Sequence, residues 1–353
     1  LKAGIHYLDV SMSLLAESLT GSGADLLALV ESFSQRHMVV VGDLVADQFL
    51  SGSISRVSRE APVLILRHEE TDTRPGGAAN CAANLAALGA RVSLVGAVGD
   101  DLTGVALLAK LGELGVDCHG VAVVPGAKTT TKVRVLAGQI HAARQQVLRI
   151  DHDDEPARVT GIDELLQSHL RTVAGTAGAI IISDYNYGVA SAPMASAIRT
   201  AARAHEVPVL VDSRYRLLDF CGFTTATPNE DEVEQLLNRR LAGREEFASA
   251  CEALRQELGC EALLVTRGSA GMILLEPEQP ALQLEAIGSR QPVDVTGAGD
   301  TVIAAYALGL ASGGSFASAA TIANHAGGVV VMKKGTATLS PEELADSLAR
   351  LSQ

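Results

Sequence analysis

Apolar positions recur along this chain with two different periods. Leu14, Leu15, Leu19, Leu26, Leu27, Val30 and Phe33 fall at helical spacing, broken once by Gly21-Ser22-Gly23. This pattern predicts a helical N-terminal extension over 1–36 that packs against the rest. At Met38 the pattern changes. Met38-Val39-Val40-Val41 is a β-branched run ending at Gly42-Asp43, as a buried strand does where it enters a turn. Further strands are expected at 91–96, 179–183, 207–212 and 262–266. Helices are expected at 101–114, 192–205 and 245–258. Alternation of this kind implies an α/β body with a mostly parallel sheet and helices on both faces. Ligands of such sheets bind beyond the carboxyl ends of the strands, where Asp43, Asp184, Asp212 and Thr266 fall.

Two stretches, 54–66 and 129–150, break the alternation and read as extended chain without helices. Lys132-Val133-Arg134-Val135-Leu136 alternates polar and apolar, as a half-exposed strand does. They predict a small β-sheet lid, with segments about 52–66 and 129–150, attached to a body spanning 37–353. The acidic run from Asp151 to Glu155 reads as a solvated turn.

Composition narrows the class. The 353 residues suit one large α/β domain with an appendage. Aromatics are only 3% and Trp is missing, so Ala, Val, Leu and Ile must build the core. A net charge of −13 with no long cationic stretch excludes a nucleic-acid partner. The five Cys are odd in number and form no CxxC, which points to reduced thiols in the cytoplasm. No apolar run is long enough to span a membrane, and no basic-then-apolar leader opens the chain. The sequence begins with Leu1, as a processed chain or a piece of a longer one would.

Candidate chemistry concentrates in two Gly-rich segments. In Asp294-Val295-Thr296-Gly297-Ala298-Gly299-Asp300, small residues lead into an apolar helix expected at 301–310. Free N–H groups at such a helix start, with the positive end of the helix dipole, make an anion hole suited to phosphate. Asp300 beside it reads either as an N-cap or as a general base taking a hydroxyl proton during phosphoryl transfer. The second segment is Arg74-Pro75-Gly76-Gly77-Ala78-Ala79-Asn80. Alone it is equally well a strand-to-helix turn, and Asn80 a cap or a sugar ligand. Walker A, GxGxxG, HExxH and GxSxG patterns are missing.

The two segments, in this order and far apart, resemble the two signatures of the ribokinase (phosphofructokinase-B) family of carbohydrate kinases. The likeness spans roughly 38–350. It implies a ribokinase-like three-layer sandwich with a small lid. It also implies ATP and Mg²⁺ as cofactors, with a monovalent cation such as K⁺ as a further candidate. In the resemblance, Asp300 is the base and the N–H groups of Gly297, Ala298 and Gly299 stabilise the transferring phosphoryl. Asp47, Gly76, Gly77, Asn80 and Asp184 hold the sugar, and Arg134 and Arg149 face an anionic group on it. Asn229 and Glu232 organise magnesium through water. Thr266, Gly268 and Gly271 form the nucleotide loop, and Asn324 lies near the adenine.

Within the family the chain is most similar to the heptose-7-phosphate kinases of ADP-heptose synthesis. The stretches that carry this likeness include Ser55-Arg56-Val57-Ser58-Arg59-Glu60-Ala61-Pro62, Thr131-Lys132-Val133-Arg134 and Ser183-Asp184-Tyr185. That group implies a homodimer paired through the lid. Two departures stand out. Tyr187 and Arg214 occupy positions where those kinases usually carry Lys. The resemblance implies a sugar phosphate of heptose 7-phosphate type as acceptor, and the two departures leave open a different phosphorylated sugar or an unphosphorylated one. Another sugar or nucleoside, or a nonenzymatic sensor on the same fold, stays open. The nucleotidyltransferase domain of the bifunctional heptose enzymes is not expected.

Overall fold

The computed structural model describes residues 21–138, 144–158, 161–288 and 291–350. Leu14, Leu15 and Leu19 lie outside the described residues. The first described helix, α1 (Gly23–Glu31), starts at Ser22 with a reciprocal cap. Ser22 Oγ accepts the Asp25 N–H, and the Asp25 carboxylate accepts the Ser22 N–H. Leu26, Val30 and the following Phe33 are buried in the same core as the body's strands. The described part of the expected extension is thus built into the body.

The strands are β1 (His37–Gly42), β2 (Leu44–Val57), β3 (Leu64–Gly77), β4 (Arg91–Gly99), β5 (Val116–Val124), β6 (Thr131–Gly138), β7 (Gln145–His152), β8 (Ala179–Asp184), β9 (Val209–Ser213), β10 (Thr225–Ala226), β11 (Ala262–Thr266), β12 (Met272–Leu275) and β13 (Leu282–Leu284). The helices after α1 are α2 (Ala78–Ala87), α3 (Leu102–Glu113), α4 (Ile162–Val173), α5 (Ala192–His205), α6 (Glu230–Leu236), α7 (Arg244–Leu258), α8 (Ala298–Ala311), α9 (Phe316–Val330) and α10 (Pro341–Ala349).

The main sheet runs β13-β12-β11-β10-β9-β8-β1-β4-β5. It is parallel from β5 to β11, and β12 and β13 extend it antiparallel. Side-chain alternation builds the three layers. Met38 and Val40 face a core shared with α1, α2, α8, α9 and α10. Val39 and Val41 face the opposite core, against α4, α5 and α7. Both faces of β1 are buried, hence its unbroken apolar run.

The lid is a second sheet, β3-β2-β6-β7, with β2 and β6 parallel. It is wider than the sequence pattern predicts. Its strands begin at Leu44 and its second strand runs to Gly77 rather than ending at 66. The reason is solvent. From Arg67 to Thr71 the side chains are exposed, and the polar run His68-Glu69-Glu70-Thr71-Asp72 shows no apolar alternation to read. The lid strands run continuously into the body, where β3 turns directly into α2.

Deleting the Phe33 ring should leave a cavity in a core common to α1 and the sheet. Phe33→Ala is expected to cost about 3–5 kcal/mol in urea unfolding, with a single transition. A loss well under 1 kcal/mol would show that the segment is an independent appendage.

Candidate active site

The helix after the second Gly-rich segment starts earlier than 301. Gly297 is its N-cap, with φ 77°, and a Cβ there would lie 2.5 Å from Asn80 Nδ2. Asp300 is therefore in the first turn of α8 and does not cap it. The residue is 4% exposed, with its carboxylate pointing inward. Asn80 Nδ2 donates to Asp300 Oδ2 at 2.7 Å, and the Tyr185 hydroxyl donates to Oδ1 at 3.1 Å. Burial pushes the Asp300 carboxyl up to about 6, against the pull of these two donors. The neighbouring Thr301 hydroxyl donates to Asn84 Oδ1 at 2.8 Å, and Asn84 Nδ2 donates to the Asn80 carbonyl at 2.9 Å. The two Gly-rich segments thus meet as the first turns of α2 and α8, stitched by buried amides.

The N–H groups at the start of α8 are not equivalent. That of Ala298 already donates to the Val295 carbonyl at 3.2 Å. Among the described residues no acceptor meets those of Gly297, Gly299 and Asp300, so these are the free N–H groups at the helix start. Gly299 has open space where a Cβ would be. Asp294 ties down the turn before the helix by accepting the Thr296 and Gly335 N–H groups at 3.0 and 2.9 Å.

On the lid side, Asp47 of β2 sits 2.9 Å from Arg134 Nη1 of β6, both largely buried. Burial raises the Asp47 carboxyl, and Arg134, Lys132 and Arg149 oppose that rise. Gly76 and Gly77 close β3 against this strand. A Cβ on Gly76 would lie 2.7 Å from Asp47 Oδ2, and one on Gly77, with φ 56°, 2.6 Å from the Asp43 carbonyl. Their small size is therefore required by chain packing. Arg149 lies on the exposed edge strand β7 and pairs with Asp151 at 2.8 Å. Asp184 is fully buried. It accepts from Ser213 Oγ at 2.6 Å and Arg216 Nη2 at 2.5 Å, so its carboxylate is already engaged.

Two adjoining cavities open beside Gly299. A polar one of about 400 Å³ is lined by Asp212, Arg214, Asn229, Glu232, Thr266 and Gly299, among others. An apolar one of about 190 Å³ has Gly268, Gly271, Met272, Ile287, Val302 and Asn324 in its wall, and shares Thr266 and Gly299. Asn324 Nδ2 donates to the Glu285 carbonyl at 2.7 Å, which fixes the pocket's far wall. Asn229 and Glu232 cap α6 reciprocally, each accepting the other's N–H at 2.9 Å. Burial raises the Glu232 carboxyl. Burial, then the Glu232, Asp300 and Asp184 charges, raise Asp212 well above the usual carboxylate range.

Three residues of the site have no role in the sequence reading. Tyr185 stands in a family-like stretch, but its hydroxyl's target lies 115 positions away. Asp212 is legible only as an acid at a strand end. Lys132 lies on the lid, half-buried, with Nζ 5.7 Å from the Tyr185 ring centre.

The site thus places a buried carboxylate in the first turn of a helix, beside a polar cavity and an apolar slot. The pfkB family carbohydrate kinase pattern matches residues 35–343. The chain belongs to this family of carbohydrate kinases. The bifunctional protein HldE of Magnetococcus marinus is 38% identical over 331 residues, covering 92% of this chain. That of Alkalilimnicola ehrlichii is 42% identical over 324 residues, covering 91%. This chain spans 66% and 65% of those relatives' own lengths. In solved structures the same fold recurs. Arabidopsis thaliana ribokinase, complexed with ribose and ATP, superposes with a TM-score of 0.69 at 24% identity, covering 89% of this chain and 98% of that one. Phosphofructokinase-2 from Escherichia coli gives 0.74 at 21% identity, covering 90% and 99%.

Asp300 can accept a proton only when ionised. If Asp300 is the general base, turnover should rise with pH through about 6 and level off above it. A flat profile between pH 5 and 7.5 would remove Asp300 as the titrating group.

Proposed function

We propose that this chain transfers the γ-phosphoryl group of ATP to a hydroxyl of a sugar phosphate of the heptose 7-phosphate class. The observation that carries the reading is Asp300, buried and held by Asn80 and Tyr185, at the helix start that joins the two cavities. The apolar cavity suits the adenine, and the polar cavity its phosphates. Asp300 takes the acceptor's hydroxyl proton. The N–H groups of Gly297 and Gly299 face the negative charge of the group in transfer.

A divalent cation fits the polar cavity. Its candidate metal donors are all oxygens, and burial, with crowding by Glu232 and Asp300, drives Asp212 towards protonation, a state that a cation would relieve. Among the described residues no three such side chains converge to hold a metal unaided. Asn229, Glu232 and Asp212 would thus act through water, with ATP phosphates completing the shell. Magnesium, when bound, neutralises charge on the phosphoryl group.

Two cations support a phosphorylated acceptor. Arg134 and Arg149 are paired with Asp47 and Asp151. Neither Lys132 nor Arg214 has a carboxylate at salt-bridge distance among the described residues, and burial, then the Arg214 charge, disfavours the charge on Lys132, with Asp47 and Asp151 opposing. Two neighbouring cations without a paired anion suit a phosphate placed between them. They supply the charge that Tyr187 lacks. ATP as donor and five free cysteines fit a cytoplasmic enzyme.

Incubation with ATP, Mg²⁺ and a panel of sugars and sugar phosphates, read by ADP release, tests the assignment. Release with heptose 7-phosphate is expected. Turnover confined to unphosphorylated sugars would sink the acceptor class, and binding without any turnover would favour a sensor. Asp300→Asn should lower turnover by about 10²–10⁴-fold while staying folded. Lys132→Met should raise KM for the sugar phosphate roughly tenfold and leave KM for ATP unchanged.

The lid supports a homodimer. Leu64 of β3 and Leu148 and Ile150 of β7 are exposed apolar residues on the four-stranded lid sheet, and a second copy would cover them. A charge at Leu148, as in Leu148→Lys, should convert a dimer to monomer in analytical ultracentrifugation. A wild-type chain that sediments as a monomer would exclude this pairing.

A further inference from the structure

We propose that Asp43 is a positioning residue for the base: it gathers the loop at 185–189 and the start of α2, so that Tyr185 and Asn80 both meet Asp300. The inference rests on the reading of Asp300 as the base.

Asp43 follows β1 and is 1% exposed. Its Oδ2 accepts the N–H groups of Tyr185 and Tyr187 at 2.8 and 3.0 Å, and its Oδ1 accepts that of Val189 at 2.9 Å. No cation pairs with it among the described residues, and burial, with a smaller push from the neighbouring Asp184 charge, works against its ionisation. A carboxylate so placed is costly unless donors compensate, and here three backbone N–H groups do. They converge because the loop folds back on itself. Asn186 has φ 64° and Gly188 has φ 110°, so the chain winds around the carboxylate.

The backbone of Asp43 makes the second connection. Its N–H donates to the Ser183 carbonyl at 3.1 Å, and its carbonyl accepts the Ala78 N–H at 3.0 Å. Ala78 opens α2, and Asn80 lies two residues on. One residue therefore anchors both segments that donate to Asp300. The loop is held from outside as well. The Tyr187 hydroxyl donates to Asp153 Oδ1 at 2.6 Å, and Arg158 Nη2 donates to the Asn186 carbonyl at 3.2 Å.

Asn at position 43 has one oxygen where Asp has two. Its NH₂ would face at least one of the three donors, and the loop would shift. Loss of the Tyr185 bond favours the protonated base, because that bond stabilises the charged form. The charged and titratable groups around Asp300 are Tyr185, Asp47, Lys132, Asp212 and Cys81, and the one facing Asp43 is Asp184. Of these, the variants below alter only Tyr185.

The test reads Asp300 directly, without an acceptor. The full chain is labelled at its aspartate carboxyl carbons, and its NMR titration is followed, with Asp300 assigned by the signal missing in Asp300→Asn. Wild type should titrate at about 6. Asp43→Asn and Tyr185→Phe should each move the midpoint up by roughly one unit, and the double variant no further than either. An unmoved midpoint in a folded Asp43→Asn chain, or shifts that add in the double variant, would overturn the inference. An unmoved midpoint in Tyr185→Phe would overturn it too, because the bond that Asp43 is said to set would then be without effect. Asp43→Ser, which keeps one acceptor, is read in place of an Asp43→Asn chain that does not fold. A kinase assay that fails with every sugar would defeat the proposed function, yet leave these midpoints standing.

Discussion

Everything in the site is arranged around one unfavourable placement, a carboxylate out of water at the start of a helix. Asp300 gains from the dipole of α8 and from two side-chain donors, and loses hydration. The balance holds its carboxyl at about 6, which suits the proposed role of accepting a proton near neutral pH. A more exposed acid would be a weaker base. A wholly unpartnered one would stay protonated and could accept nothing. The surrounding glycines and small residues follow from this placement, since α2, α8 and β3 must approach closely enough for amides and hydroxyl to reach the carboxylate.

The proposed ligands are anions, in a chain of net charge −13. The means of binding them would be local. Backbone N–H groups open at the start of α8, Arg214 lines the cavity that holds Asp212 and Glu232, and among the described residues neither Lys132 nor Arg214 has a carboxylate at salt-bridge distance. The lid brings Lys132 in on β6, in register with Asp47 of β2. It is a thin, polar sheet with much of both faces exposed, so its contribution is charge placement more than core.

Local pattern revealed much of this in advance. The strand at β11 and the helix α5 fall where the spacing puts them, because each buries an apolar face of fixed period against the sheet. The lid's extent was harder to see, because solvated strands need no apolar alternation. Ser22 and Asp25 show the opposite case, a cap written wholly within four residues. Among site residues, Asp300 and Asn80 were legible from their Gly-rich settings. Asp184 and Arg149 have the expected identities, yet their charges are spent on Arg216 and Asp151.

The sequence alone determined the alternating βα body, the two Gly-rich turns and the acid beside the second. These are local properties, set by side-chain period, by missing Cβ atoms and by helix-end chemistry. Tertiary structure decided which groups face that acid. Asn80 lies 220 positions from Asp300, and Asp43 lies 142 positions from the Tyr185 N–H it accepts. No spacing rule reaches so far. Such pairs form only when the parallel sheet brings the carboxyl ends of its strands to one edge, and burial there turns ordinary Asp, Asn and Tyr side chains into a single hydrogen-bonded unit.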